Sequence, residues 1–404
     1  MSKRRLEERP DGGTPLTVCH LFSGDLWAGA EVVIFNLLSC LAEDPGLRVV
    51  AVSLNEGVLT QRLREAGVTT YVIPESQHTL PGLVQRAASL LKSQSVAVIH
   101  SHRYKENVLA WLLAKRLGVT EVLTTIHGLP EAPANRGAEA QAAGWRRRLD
   151  YFLVRNLFSA AVAVSDEMKR ALIDRYGFTE ERVQVIRNGG RFPEPVATPR
   201  GAVFHVGTVG RMVPIKGFDL FLETAAAVRR QAQDVRFSIL GDGPLKEELA
   251  RMAAALNIDD CVEFVSPRPD PFTYYRSLDL YLTTSVHEGL PLSVVEAMAC
   301  GKPVVSAAVG GIPEIVIDGE EGFLIAGRDP ASFARRCLEL LRDDRLRTRM
   351  GERAAASARS RLSAEAMAGA YRRLYDTCGT RIRRGSAVNN TKGVGPQPPV
   401  GTPR

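Results

Sequence analysis

Glu288 and Glu296 stand either side of a seven-residue spacer in His287-Glu-Gly-Leu-Pro-Leu-Ser-Val-Val-Glu-Ala-Met-Ala299, the densest chemistry in the chain. Glu288 falls in a loop after the apolar run Leu280–Thr283, Pro291 is placed to start a helix, and Glu296 lies in its first turns. A carboxylate in an early turn is favoured by the helix dipole whatever its use, so Glu296 also has a purely structural reading. Glu288, held between a glycine and apolar residues, needs partners. Upstream, Gly207-Thr-Val-Gly-Arg211 follows a strand-like run and Lys216-Gly217 opens the next helical pattern. Two fixed cations beside glycines and a helix N-terminus suit a diphosphate, which backbone N–H groups attract and Arg and Lys neutralise. Taken alone, that piece also reads as a strand end with two solvated cations. Gly241-Asp-Gly-Pro244 alone reads as a turn, and Gly310-Gly311, just past a strand, is another place where backbone could approach phosphate oxygens.

These loops need a scaffold, and the patterning supplies one. Short β-branched runs alternate with longer amphipathic ones, the signature of βα units and a mostly parallel sheet. Strand runs in the first half are Thr17–Phe22, Arg48–Ser53, Thr70–Ile73, Val96–His100, Glu121–Ile126, Ala161–Val164 and Arg182–Ile186. A second series starts at Val203–Val209 and continues through Arg236–Leu240, Val262–Val265, Leu280–Thr283 and Val304–Ala307. Between the two lies a segment with three prolines in eleven residues, 191–201, which reads as a linker. The fold class is therefore α/β, with two doubly wound, Rossmann-like domains at 15–190 and 202–362 facing across a cleft. A closing helix at 363–378 is expected to pack back on the first domain, and 1–14 and the basic 379–404 read as loose tails.

Composition removes several classes. The chain has 404 residues, 45% of them apolar and 24% charged, ordinary values for a globular protein. No apolar run approaches the ~18 residues that cross a bilayer, and the N-terminus lacks the apolar stretch of a signal peptide. The expected location is cytoplasmic, with peripheral contact at the inner face of the membrane as an option. Six scattered cysteines form no C-x-x-C pair and read as isolated buried thiols. The net charge of +7 sits mostly in the tails: residues 1–14 hold four basic and three acidic groups, and 379–404 five basic and none acidic. That leaves the body close to neutral and gives little support to nucleic-acid binding.

The Glu-x7-Glu block, with Gly-Arg211…Lys216-Gly and Gly241-Asp-Gly-Pro244 before it, resembles the retaining GT-B glycosyltransferases of the GT4 group, also called glycosyl transferases group 1. The resemblance runs from about Thr17 to Cys378, with the motifs in the family's order. Asp25-Leu-Trp-Ala-Gly29-Ala30-Glu31 looks like the family's Gly-Gly-Ala-Glu loop, whose backbone approaches the diphosphate; Ala28 replaces the first glycine. His100-Ser-His102 and Thr125-Ile-His127-Gly128 end two strands and look like family motifs, although buried structural histidines remain the plainer reading of His100 and His102. Asn188-Gly189-Gly190-Arg191 lacks the acid of the family's Asn-Gly-x-Asp, which suggests a hinge role there, and Ser266 stands where the family often has Gly.

The resemblance implies a nucleotide-sugar donor, UDP-linked by preference, and a saccharide or lipid-linked acceptor in cell-surface polysaccharide or glycolipid synthesis. It implies that Glu288 holds sugar hydroxyls, Glu296 the ribose, and His127 the sugar from the opposite domain. Arg211 and Lys216 would stabilise the leaving diphosphate. Gly29, Gly241, Gly289, Leu290, Pro291 and Leu292 would complete the donor site. No metal cofactor is expected, because there is no Asp-x-Asp triplet and two cations can do the neutralising. Trp145-Arg-Arg-Arg148 beside Leu149, Tyr151, Phe152 and Leu153 could touch anionic lipid, or be a packed helix with solvated arginines. The rival functions are a nucleotide-sugar epimerase on the same plan and a non-catalytic nucleotide-sugar or carbohydrate-binding protein. A nicotinamide dehydrogenase fits poorly, since Ser23–Ala30 has only Gly24 and Gly29 in place of G-x-G-x-x-G.

Overall fold

The β-branched runs become strands covered on both faces by helices, which is why they carry apolar residues at successive positions rather than at alternate ones. In the computed structural model, which describes residues 14–24, 27–128, 138–194, 203–268 and 270–391, two parallel sheets result. The first half runs β1 (Leu16–Phe22), α1 (Gly29–Leu41), β2 (Leu47–Ser53), α2 (Val58–Glu65), β3 (Thr69–Val72) and α3 (Leu80–Leu91). It continues through β4 (Val98–Ser101), α4 (Tyr104–Leu117), β5 (Glu121–Ile126), α5 (Ala138–Leu157), β6 (Ala160–Ala163), α6 (Asp166–Tyr176) and β7 (Val183–Val185). The strand order is β3-β2-β1-β4-β5-β6-β7.

The second half begins β8 (Phe204–Val209), α7 (Phe218–Arg229), β9 (Val235–Leu240), α8 (Lys246–Ala255), β10 (Val262–Val265), α9 (Phe272–Ser277) and β11 (Leu280–Thr283). Then come α10 (Leu292–Ala299), β12 (Val304–Ala307), α11 (Ile312–Ile315), β13 (Gly322–Ile325), α12 (Pro330–Arg342), α13 (Asp344–Arg361) and α14 (Ala364–Thr391). This sheet is ordered β10-β9-β8-β11-β12-β13. The order reverses beside β1 in the first sheet and beside β8 in the second, so the loops after β1, β4, β8 and β11 open onto the crevices where ligands bind.

Three elements differ from the sequence expectation. β13 begins with a glycine whose added Cβ would lie 2.0 Å from the Val304 carbonyl, so neighbouring backbone rather than side-chain patterning places this strand. α13 is rich in Arg and Ala, and its buried stripe of Met350, Ala354 and Ala358 is too narrow to stand out; the Asp343 carboxylate caps it by accepting from Leu346 N at 2.9 Å. α14 runs to Thr391, whereas 379–404 reads as a tail, because a glycine at 379 does not end a helix whose next residues include no proline. Residues 392–404, 1–13 and most of the linker fall outside the described residues. Of the six free cysteines, Cys261 and Cys300 are partly exposed rather than buried.

α14 returns to the first domain. Tyr371, Leu374, Tyr375 and Cys378 join the apolar core that contains β1 and β4, and Arg381 pairs with Glu121 at 3.2 Å. The chain crosses between domains twice, side by side: Gly190 N donates to Leu362 O and Ala364 N to Gly190 O, both at 2.9 Å. A Cβ on Gly189 would lie 2.2 Å from Ser363 O, so this crossing requires glycine. A third tie is electrostatic. The Glu314 carboxylate of the second domain accepts from Asp166 N and Glu167 N at 2.9 Å, capping α6 of the first, and it also meets Arg187 at 3.0 Å.

Candidate functional site

The carboxyl ends of the two sheets enclose a cavity of about 760 Å³, within the usual range for a small-molecule site. Every residue singled out for the donor site lines it: Gly29 and His127 from the first domain, Arg211, Lys216, Gly241 and the stretch from Glu288 through Leu292 with Glu296 from the second. That convergence of residues up to 267 positions apart follows from the topology rather than from any one motif.

Lys216 ends a single 3₁₀ turn, Pro214–Lys216, before α7. Gly217 follows at φ +60°, and a Cβ there would lie 2.3 Å from Thr284 O. The Thr284 hydroxyl donates to Gly217 O at 2.8 Å, so the loops after β8 and β11 are locked together. The lock places Lys216 Nζ 2.6 Å from Glu288 Oε1, which also accepts from Ser285 Oγ at 2.7 Å. Glu288 thus finds the partners its surroundings demanded, and Lys216 is a shared rather than a free cation. Arg211 lies exposed on the cavity rim, and no hydrogen bond or ion pair joins its guanidinium to another described residue.

Gly310 and Gly311 serve a different purpose from the phosphate contact their sequence suggests. A Cβ on Gly310, at φ +56°, would lie 1.7 Å from Glu288 O, and one on Gly311 would lie 2.3 Å from Gly289 O. Gly311 N donates to Gly289 O at 2.9 Å. The pair supports the Glu288 loop from behind and does not line the cavity. Gly241 likewise lets two loops meet, since its Cβ would lie 1.9 Å from Gly210 O; Met212 N then donates to Asp242 O at 2.8 Å, and the turn becomes a cavity wall.

The Glu288–Leu292 loop is also where the domains touch. A Cβ on Gly289 would approach His127 O to 2.6 Å, and Asn188 Nδ2 donates to Leu290 O at 3.0 Å. Asn188, in the segment assigned to a hinge, is therefore a positioning contact for the loop. On α10, Glu296 accepts from the Tyr275 hydroxyl at 2.8 Å. Burial pushes the Glu296 carboxyl up from 4.5 to about 7, against the opposing pull of that hydrogen bond. A carboxylate poised to ionise in a ligand cleft is more than a dipole-favoured helix residue.

In the first domain, Trp27, Ala28, Gly29 and Ala30 bring the N-terminus of α1 to the cavity, and no atom of the described residues, its own helical turn aside, lies within 4 Å of where a Cβ on Gly29 would be. Glu31 caps this end by accepting from Ala28 N at 3.2 Å and is paired with Arg103. Residues 25 and 26 of that loop fall outside the described residues. His127 lines the cavity with its Nε2 3.3 Å from His102 Nδ1, and its buried Nδ1 has no partner among the described residues. Burial, aided by Arg103, lowers its imidazole to about 4, so it is neutral at pH 7. His100 and His102 are buried and hydrogen-bonded, away from the cavity lining.

Arg268, Pro267 and Pro271 line the cavity beyond β10 without belonging to any sequence motif, and His287 and Trp27, which sit inside motifs but had no site role assigned, line it too; the Trp27 ring lies 4.4 Å under Arg62. The rule that ligands gather at strand ends points to the β10 loop, but Pro-Arg-Pro-Asp-Pro reads locally only as a turn.

Comparison with known proteins agrees with this arrangement. Residues 27–189 match the family described as Glycosyltransferase Family 4, and residues 203–343 match Glycosyl transferases group 1. The chain is 31% identical over 328 residues to the D-inositol 3-phosphate glycosyltransferase of Salinispora arenicola, covering 71% of this chain and 70% of that protein. It is 29% identical over 397 residues to the protein of that name from Mycobacterium bovis, covering 89% and 78%. Among solved structures, Anabaena HepE in complex with UDP superposes with a TM-score of 0.77 at 20% identity, covering 90% of this chain and all of that one. Sucrose-phosphate synthase from Thermosynechococcus elongatus gives 0.72 at 22% identity, covering 91% and 100%. With two parallel-sheet domains, a cleft at both switch points and these matches, the chain belongs to the GT4 family of GT-B glycosyltransferases.

Proposed function

We propose that this protein is a retaining hexosyltransferase that moves a sugar from a UDP-sugar to a hydroxyl of a saccharide or lipid-linked acceptor, in synthesis of a cell-surface polysaccharide or glycolipid. The observation that carries the reading is the gathering of Arg211, the Lys216–Glu288 pair, Glu296, His127 and the open backbone at Gly29 around one cavity. HepE, a structural neighbour, is known in complex with UDP and with UDP-glucose, which supports the choice of nucleotide.

Cleaving a sugar–phosphate bond builds negative charge on the departing diphosphate and positive charge on the ring. Arg211 and Lys216 answer the first, each preset and worth ~3–4 kcal/mol if it acts as donors in well-studied sites do. Lys216 has three donor hydrogens, so it can keep Glu288 and still reach a phosphate oxygen. Glu288, held by Lys216 and Ser285, is oriented to accept from sugar hydroxyls, and Glu296 from the ribose. On this reading a donor phosphate oxygen takes the acceptor's proton on the same face, so no protein base is required, and no divalent metal either. Transfer unaffected by EDTA, with an α-linked product from an α-linked donor, is the expected result. An inverted product would remove the retaining assignment.

The curated relatives are named for inositol 3-phosphate, which puts that acceptor beside saccharide and lipid-linked acceptors in the assay panel. No helix among the described residues is long and apolar enough to cross a membrane. On α5, however, Trp145, Leu149 and Phe152 share one face and are 74%, 59% and 55% exposed, next to exposed Arg148. That face would hold the enzyme on anionic lipid. Co-sedimentation with phosphatidylglycerol vesicles but not with phosphatidylcholine vesicles, lost in Trp145→Ser/Phe152→Ser, is expected; equal recovery in both would remove membrane contact.

A further inference from the structure

Four buried histidines are connected behind the cavity. His127 Nε2 meets His102 Nδ1 at 3.3 Å, and His102 Nε2 meets His20 Nδ1 at 3.0 Å. His20 Nε2 meets the Tyr375 hydroxyl at 3.4 Å, and that hydroxyl meets His100 Nδ1 at 2.7 Å. His100 Nε2 then meets Thr125 Oγ1 at 2.8 Å, which meets the Tyr371 hydroxyl at 2.7 Å. Both tyrosines belong to α14, so one end of the series rests on the C-terminal helix and the other on the donor cavity.

One ring nitrogen from each of His20, His100 and His102 lies within 4.8 Å of the other two, close enough to raise the question of a metal. The ring arrangement argues against it. His102 stacks on His20 and His100 at interplanar angles of 19° and 22°, so their lone pairs run side by side instead of converging on a point. Each of the six nitrogens already faces a hydrogen-bonding atom.

A neutral imidazole donates at one nitrogen and accepts at the other, so a series of neutral rings can have only two polarities. All four rings are held neutral by burial. In the first polarity the Tyr371 O–H donates to Thr125, Thr125 to His100 Nε2, His100 Nδ1–H to Tyr375, and Tyr375 to His20 Nε2. His20 and His102 then each donate from Nδ1, and His127 accepts at Nε2 and carries its hydrogen on Nδ1. Every buried hydrogen has an acceptor except the last, on Nδ1 of the cavity-lining His127, which has no partner among the described residues. In the reverse polarity His127 Nδ1 still lacks a partner, now as an acceptor, and the Tyr371 O–H is in addition buried with no acceptor among the described residues, since Thr125 is its hydrogen-bonding partner and would be donating to it. The reverse therefore leaves one more buried hydrogen-bonding group unmade, which disfavours it.

We propose that this series is a one-way hydrogen-bond relay in which Tyr371 and Tyr375 of α14 fix the cavity-lining His127 as its Nδ1–H tautomer, a donor held in reserve for an oxygen of the transferred sugar. Tyr375, His20 and His102 are positioning residues; His127 alone touches substrate. The role of His127 rests on the proposed function, but the polarity does not. The relay also gives the return of α14 to the first domain a use beyond packing.

The test is a long-range ¹H–¹⁵N spectrum of the ¹⁵N-histidine-labelled full-length protein at pH 7.5, with the seven histidines assigned by single substitutions. His20, His100, His102 and His127 should all carry their proton on Nδ1, the tautomer that a free imidazole disfavours. An Nε2–H or doubly protonated signal at any of them overturns the relay. Tyr375→Phe cuts it in the middle: a second, Nε2–H signal should appear at His127, and kcat/KM for the donor sugar should fall about tenfold while the Kd for UDP stays within twofold. An unchanged His127 signal, or an equal loss of UDP affinity, overturns it as well. Failure of the wild-type protein to turn over any nucleotide-sugar would refute the proposed function and leave the spectrum to decide the relay.

Discussion

Glu296→Gln separates charge from shape at the proposed ribose contact, because glutamine keeps an oxygen for the Tyr275 hydroxyl to bond. In the wild type the folded protein retains a proton on Glu296 up to about 7, whereas the unfolded chain releases it near 4.5. Between those values the folded state binds more protons, so stability falls as pH rises through the window. A shift of that size corresponds to about 3 kcal/mol in all. Glutamine abolishes the term, so the melting temperature of Glu296→Gln relative to wild type should rise from pH 4.5 to pH 8, by about 5–10 °C for a domain of this size. Affinity should move the opposite way. A ribose hydroxyl donates to the ionised carboxylate, so at pH 6 the protein must first lose a proton, and wild-type UDP affinity should be about tenfold weaker at pH 6 than at pH 8. The variant should bind more weakly at pH 8 and lack this slope; any titration of the diphosphate itself is common to both proteins. Scanning calorimetry and isothermal titration at four pH values read both effects. Parallel melting curves and parallel affinity curves for the two proteins would show that Glu296 does not hold a proton into the neutral range.

Three further substitutions discriminate roles within the cleft. Lys216→Ala leaves the Glu288 carboxylate half-buried without its cation and should lower the melting temperature by several degrees, whereas Arg211→Ala, exposed on the rim, should leave it within about 1 °C by differential scanning fluorimetry. Gly29→Val fills space that no described protein atom occupies, so circular dichroism and stability should be unchanged while UDP binding drops at least tenfold; unimpaired binding would place the diphosphate elsewhere. Glu314→Ala removes the second-domain carboxylate that caps α6 and meets Arg187, and a larger radius of gyration in solution scattering, reversed by UDP-sugar, is expected.

Much of this was legible before the structure. Apolar runs bounded by turn residues locate twelve of thirteen strands, because a parallel strand buried on both faces needs successive apolar positions, and the strand ends then place Arg211, Glu288 and His127 at the cleft. What sequence withheld was pairing at a distance. Lys216 and Glu288 stand 72 residues apart, and nothing local says that the cation is shared. The contact from Tyr375 to His100 spans 275 residues, so the histidines read as separate core residues rather than one series. Gly310-Gly311 misleads for the same reason. Glycine announces a close approach but not its partner, which proves to be the Glu288 backbone. α13 escaped because small residues can bury a stripe without the hydropathy contrast that marks a helix face.

Binding of a nucleoside diphosphate in the cavity between the two switch points is expected to depend on Arg211 and Lys216. Calorimetric titration of UDP into the wild-type protein and into Arg211→Ala/Lys216→Ala, at pH 8 and fixed ionic strength, tests it directly. Two lost charge-assisted contacts of ~1.5–3 kcal/mol each predict at least a hundredfold weaker binding in the double variant. Equal affinity in the two proteins, or no binding of any nucleoside diphosphate by the wild type, would contradict it.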